Sequence, residues 1–271
     1  MPFSALLVST LMIAQVVPDV PTDAAETSPA AAPMTTEEAR LTACMNMLRD
    51  DVPSAIAEAS RWASEEPGAG RALPLQCLGT AYMWMGRHAA AAEAFGEARD
   101  ITPAEQRAAR ARYGAMAVIA LEAAGDMAGA VEAATAAEAD AIAIGDTVLA
   151  AAIARDAASP LVQLGRVEEA DAALARARGN NAQDPLTWLI SARFSRSQER
   201  LAEAQGFIQT AAALSPRDPE VGLEAGIIAA LAGRDGAARL SFASVIEVAP
   251  GSALAERAQA YIDQLPAPES R

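Results

Sequence analysis

Three segments of the chain, starting at Ala72, Pro185 and Pro219, carry similar residue types at the same offsets, and the starts at Ala151, Pro185 and Pro219 lie 34 residues apart. A chain that reuses one short pattern at a fixed period stacks like units, each covering the face its neighbour would otherwise expose. Counted from Ala72 as position 1, Leu78 and Gly79 stand at 7 and 8, Tyr82 at 11, Gly86 at 15, Ala91 at 20, Phe95 at 24, Ala98 at 27 and Pro103 at 32. From Pro219 the pattern gives Gly226 at 8, Gly233 at 15, Ala238 at 20, Phe242 at 24, Val245 at 27 and Pro250 at 32. From Pro185 it gives Trp188 at 4, Ala192 at 8, Ala204 at 20, Ile208 at 24, Ala211 at 27 and Pro216 at 32. A unit from Ala151 places Gly165 at 15, Ala170 at 20, Leu174 at 24 and Ala177 at 27, and one from Ala111 places Gly125 at 15 and Ala130 at 20. The intervals from Ala72 to Ala111 and from Ala111 to Ala151 are 39 and 40 residues, which implies helices lengthened by about a turn. Before Cys77, Val52–Pro67 reads as the second helix of a degenerate first unit.

The offsets have a physical reading. Small residues at 8, 20 and 27 let paired helices approach closely, and Phe95 and Phe242 fill the volume that remains. Gly86, Gly125, Gly165 and Gly233 each end an apolar helix, where a left-handed cap is least strained for glycine. Asp184–Pro185 and Asp218–Pro219 read as an Asp cap followed by a proline in the first turn. The stretches Thr102–Glu105 (TPAE) and Thr35–Glu38 (TTEE) read as helix starts of the capping-box kind.

This series of Leu-Gly, Tyr, Ala, Phe, Ala and Pro resembles the tetratricopeptide repeat (TPR), whose period is 34 residues. The resemblance covers roughly residues 35–265. It implies an all-α chain, a right-handed superhelix of antiparallel helix pairs, with about six pairs and a C-terminal capping helix at Ser252–Leu265. A terminal cap is required because the last unit would otherwise leave its apolar face bare.

The rest of the chain divides simply. Residues 1–17 contain ALLVSTLMIA (Ala5–Ala14), of signal-peptide length and too short to span a bilayer as a helix; it reads as an export signal or as a plain apolar N-terminus. Export would place the protein in the periplasm or beyond, and no export would leave it cytoplasmic. Residues 18–34, rich in proline and alanine, read as a disordered linker, and residues 266–271 as a tail. Cys44 and Cys77 are either a disulfide between neighbouring helices or two small buried thiols. LTAC at Leu41–Cys44 is not a lipoprotein box, because it follows TTEEAR and no apolar run.

A formal charge of −14 excludes the usual nucleic-acid binder, which needs clustered Lys and Arg. With His88 as the one histidine there is no His-based metal cluster and little room for a Ser-His-Asp arrangement. His88 beside Arg87 reads as a solvated turn residue. No phosphate loop occurs, and the adjacent acidic pairs (Asp50 and Asp51, Glu65 and Glu66, Glu168 and Glu169) diverge on a helix and form no catalytic dyad. The expectation is therefore no catalytic residue, no metal, no cofactor and no enzyme.

In the family it resembles, positions 2, 5, 9, 12 and 13 of each first helix line a concave groove. Carried over, these are Leu73, Gln76, Thr80, Met83 and Trp84, followed by Arg112 at 2, Arg155 at 5 and Arg193 at 9 of the next three units. Three arginines on one face would form a cationic stripe for an acidic or extended peptide, or each would pair with a carboxylate of the adjacent unit. Met83 and Trp84 are either apolar neighbours of a bound peptide or inter-helix packing. Chaperone-tail binding is disfavoured, because the family's clamp wants Lys at 5 and Asn at 9, where Gln76 and Thr80 stand. The expected partner is a protein or peptide of unknown identity, the alternative being a second copy of the chain docked in the groove.

Overall fold

The computed structural model describes residues 35–266. The export-signal reading of residues 1–17, the linker 18–34 and all of the tail except Pro266 lie outside the described residues.

Within them, fourteen α-helices follow one another and no strand occurs. The pairs are α1 (Thr36–Met47) with α2 (Val52–Glu65), α3 (Ala72–Trp84) with α4 (His88–Ile101), and α5 (Arg107–Ala124) with α6 (Met127–Ala143). They continue with α7 (Thr147–Asp156) and α8 (Ala158–Gln163) against α9 (Val167–Asn180), then α10 (Pro185–Ser197) with α11 (Leu201–Leu214), and α12 (Pro219–Leu231) with α13 (Asp235–Val248). A final helix, α14 (Ala253–Gln264), packs on α13 and α12 in the expected capping place. The architecture is the expected stack of six pairs and a cap. The extra helix arises at Pro160, which has no N–H to offer the Asp156 carbonyl, so one first helix breaks between Asp156 and Ala158.

Alanine at position 20 is the pivot of each of the five pairs from α3–α4 onward: Ala91, Ala130, Ala170, Ala204 and Ala238 are all fully buried. Position 27 behaves alike through Ala98, Ala137, Ala177, Ala211 and Val245. Positions 8 and 24 are linked by volume. A Cβ built on Gly79 would lie 2.4 Å from Phe95 Cε1, and one on Gly226 would lie 2.3 Å from Phe242 Cε1. Where position 24 is smaller, position 8 is larger: Ala192 accompanies Ile208, Ala158 accompanies Leu174, and Val118 accompanies Ala134, all buried. Close packing holds the summed volume roughly constant while the letters change.

The glycines at position 15, Gly86, Gly125, Gly165 and Gly233, all have positive φ, as expected. The unit from Pro185 has Glu199 there, at φ 60°, the only non-glycine with positive φ among the described residues. Asp184 accepts the Leu186 N–H (3.1 Å) and the Thr187 hydroxyl (2.6 Å), and Asp218 accepts the Glu220 N–H (2.8 Å), so both Asp-Pro pairs open helices. α1 begins at Thr36, within the TTEE stretch.

The TPAE stretch does not open a helix, contrary to the capping-box reading. Thr102 ends α4 instead of starting a helix: its hydroxyl donates back to the Ala98 carbonyl (2.6 Å), and the N–H groups of a first turn that it would cap are absent because α5 begins only at Arg107. Arg110 donates to the Arg99 and Thr102 carbonyls (3.1 and 3.0 Å), which satisfies the end of α4. Pro103–Gln106 is a turn closed by the Gln106 N–H to the Pro103 carbonyl (2.9 Å), and α5 starts at Arg107.

Cys44 of α1 and Cys77 of α3 are joined as a disulfide with their Cα atoms 6.3 Å apart. The link matters for α1, whose only buried residue is Cys44. Arg40 supplies the other tie, lying over the Trp62 ring at 4.7 Å and pairing with Glu58 (3.2 Å) and Glu65 (2.8 Å) of α2.

Candidate functional site

The first helices α3, α5, α7–α8, α10 and α12 form one face of the stack, and side chains at positions 2, 5, 9, 12 and 13 distinguish it. In α3, Gln76 and Thr80 are half-buried, and the Thr80 hydroxyl donates to the Gln76 carbonyl (2.9 Å). Met83 packs beside Phe95 and Ala117, whereas Trp84 stands 58% exposed at the helix end. The two residues therefore divide between packing and open surface.

The three arginines do not form an open stripe. Arg155 is only 14% exposed and binds Asp156 (2.9 Å) and Asp184 (2.9 Å). Arg193 binds Glu220 (2.9 Å) and approaches Glu224 (3.8 Å), both on the next unit's first helix. Arg112 is exposed and, among the described residues, makes no ion pair. Carboxylates of neighbouring units thus occupy two of the three cations. Asp184 sits below the usual carboxylate range even though burial pushes it up, because Thr187 and Leu186 donate to it and Arg155 is adjacent. Asp156 is pushed up by burial, with Arg155 only partly opposing. Glu224, nearly fully buried, is held by Arg196 (2.5 Å).

What the same face does expose is apolar. Ile119 at position 9, Val162 at 12, Leu186 at 2 and Leu231 at 13 are exposed alongside Trp84. Sequence reasoning missed these four because it carried the groove positions beyond α3 only to arginines; the letters at the remaining positions were available. Two hollows indent this face. One of about 270 Å³ between α8 and α10 is lined by Ser159, Val162, Gln163, Ile190 and Arg193. The other, about 420 Å³, lies among α10, α12 and α14, with Arg193, Arg196, Leu223, Arg257 and Tyr261 on its walls.

Elsewhere the buried charges tie unit to unit. Asp140 on α6 receives Arg99 (2.8 Å), Arg107 (3.1 Å) and Arg110 (3.5 Å), and Glu138 receives Arg176 through two bonds (2.8 and 3.0 Å). Burying such carboxylates requires these partners, so the groups read as structural. Among the described residues no cluster of three or more His, Cys, Asp or Glu is placed to hold a metal ion. His88 opens α4 half-buried, with Nδ1 shielded, so it is less solvated than its neighbours in the turn suggested. No described helix is long and apolar enough to cross a membrane.

No family model matches the chain, and none of the curated proteins matches it in sequence. Solved structures match its fold. Pseudomonas aeruginosa pilF superposes with a TM-score of 0.63 at 15% identity over 83% of this chain and 97% of that one. PilW, described as a widely conserved type IV pilus biogenesis factor, gives 0.67 at 17% identity over 84% and 100%. YrrB, described as a TPR protein with an unusual peptide-binding site, gives 0.50 at 17% identity over 74% and 97%. With the helix-pair register above, these similarities make the fold that of a tetratricopeptide-repeat protein.

Proposed function

We propose that this chain is a non-catalytic scaffold that holds a partner protein or peptide against the face of its first helices, in the cell envelope. The observation that carries the reading is the recurrence of exposed large apolar side chains at that face: Trp84, Ile119, Val162, Leu186 and Leu231, in five successive units. Apolar groups of this size left in water along one face mark an interaction surface. Arg112 adds a cation that could take a carboxylate of the partner, while Arg155 and Arg193 act mainly to join units. Gln76 and Thr80, about two turns and one turn before Trp84 on α3, offer polar contacts. The fold of YrrB, a protein described with a peptide-binding site, supports peptide holding as a use of this architecture.

Export is supported by the apolar run in residues 1–17 and by the Cys44–Cys77 disulfide, since disulfides persist in oxidising compartments. The pilus-biogenesis description of PilW agrees with an envelope setting.

The test is affinity capture from the envelope fraction of the source cell, with the full chain and a Trp84→Ser, Ile119→Ser, Leu231→Ser variant as baits. A discrete partner lost by the folded variant supports the reading; equal capture by both baits refutes it. A second copy of the chain is the competing occupant, and a dimer that survives a dilution series identifies it.

A further inference from the structure

An open cavity of about 600 Å³ lies away from the proposed groove, in a trench walled by the second helices α4 and α6 with α5 as its floor. The α4 wall is one helical face, Ala89, Ala92, Glu93, Gly96 and Asp100, and the floor is Ala117, Leu121 and Ala124. The α6 side contributes Gly129, Glu132, Ala133 and Ala136. Ala89 to Asp100 spans about three helical turns, or roughly 16 Å at 1.5 Å per residue. Small residues on both walls leave room for a backbone to enter, and the floor is apolar.

The charges at its edge are of one sign. Glu93, Asp100 and Glu132 are exposed and, among the described residues, form no ion pair. Asp126, at one end, is turned to the Gly129 N–H (2.9 Å). The single cation in the lining, Arg99, is committed to Asp140 at 2.8 Å and to the Arg110 carbonyl at 2.7 Å. An apolar floor with unneutralised carboxylates on both walls is complementary to an apolar stripe flanked by Lys or Arg.

We infer that the α4–α6 trench is a second docking surface, independent of the first-helix face, and that it takes a basic amphipathic helix of about three turns from a partner. The occupant lays its apolar stripe on Leu121, Ala124 and Ala133 and sets its cations against Glu93, Asp100 and Glu132. Coulomb attraction between exposed groups is screened by salt, so binding weakens as salt rises but does not vanish, because the floor is apolar.

The probe is a fluorescein-labelled fourteen-residue Leu/Lys amphipathic model peptide, with a Leu/Glu peptide of the same pattern as control, titrated by anisotropy against the full chain. Gly96→Leu separates seating from bulk charge. A Cβ at Gly96 meets nothing within 4 Å, so the substitution fills the trench without strain and leaves the net charge unchanged. The proposal expects Leu/Lys binding that falls at least about tenfold in Gly96→Leu and in Glu93→Lys/Glu132→Lys. It expects a change of under about threefold in Glu247→Lys/Asp263→Lys, an equal charge change on α13 and α14, and in Trp84→Ser. Absence of Leu/Lys binding, equal binding of the Leu/Glu peptide, or equal loss in the α13–α14 charge variant overturns it. So does full binding by Gly96→Leu. The Trp84→Ser arm keeps this outcome separate from that of the first-helix reading.

Discussion

Replacing Gly79 with alanine tests whether positions 8 and 24 are truly coupled. The added Cβ would sit 2.4 Å from Phe95 Cε1 and 2.7 Å from Cδ1 and Cζ. The ring edge must therefore retreat by about 1 Å to reach an ordinary contact. Phe95 has little room to do so, being buried against Ala91, Ala92, Ala117 and Ala120. Overpacking of this kind costs about 1–3 kcal/mol, while alanine in a helix interior returns about 0.5–1 kcal/mol relative to glycine. The net expectation for Gly79→Ala is a loss of about 1–2 kcal/mol, or a Tm lower by about 2–8 °C for a chain of this size. Phe95→Leu alone leaves a void and loses about 1–2 kcal/mol. Together the two substitutions recreate the Ala158–Leu174 pairing of a later unit, so the double variant should be more stable than the sum of the single losses by about 1–2 kcal/mol. Urea unfolding followed by circular dichroism at 222 nm gives all four corners of the cycle. Additive losses would refute the coupling, and so would a stabilising Gly79→Ala.

Other substitutions address the caps and the disulfide. Glu199→Gly removes a left-handed non-glycine, worth about 1–2 kcal/mol, against the extra unfolded-state entropy of glycine, so a gain of up to about 1 kcal/mol is expected in thermal unfolding. Asp184→Ala deletes an N-cap and the Arg155 partner and should lose about 1–2 kcal/mol at neutral pH. Because Asp184 is depressed in the folded state, its contribution is present above the ordinary carboxylate pKa and is lost as pH falls through its lowered value; wild type and variant should converge in acid. Asp156→Asn should act in the opposite sense: its raised folded pKa means that the charged form is disfavoured by burial at neutral pH, so the substitution raises stability there and the gain disappears as both states protonate in acid. Reduction of Cys44–Cys77, which closes a separation of 33 residues, should lower stability by about 3.7 kcal/mol on the loop-entropy estimate, read as a lower Tm with reductant and no such shift in Cys44→Ser/Cys77→Ser.

The helix pairs were legible because their constraints are local and repeated. Alanine at position 20 and glycine at 15 each answer one steric demand, and the demand returns every unit. Thr102 was not legible, because its hydroxyl can serve either neighbour in sequence terms, accepting from the N–H groups of the next helix start or donating to a carbonyl of the preceding turn, and Arg110 favours the second by completing the end of α4. The two readings of the arginines, open stripe or pairing between units, were undecided in sequence for a related reason. Position within a unit placed Arg155 and Arg193 on the first helices, but their charge is spent on Asp184 and Glu220, whose approach depends on how successive units pack. The apolar members of that face, Ile119 and Leu231 among them, were readable by register alone. The α4–α6 trench was not, since it is a property of two second helices and the floor between them.

The most direct test of the scaffold reading is site-specific photo-cross-linking in the source cell, with a photoreactive phenylalanine analogue placed in turn at Trp84, Ile119 and Leu231 and, on α13, at Leu240. Adducts to one discrete partner from the three first-helix positions, and none to that partner from Leu240, are the predicted result. The same adduct from Leu240 alone, or none from any first-helix position, would contradict it.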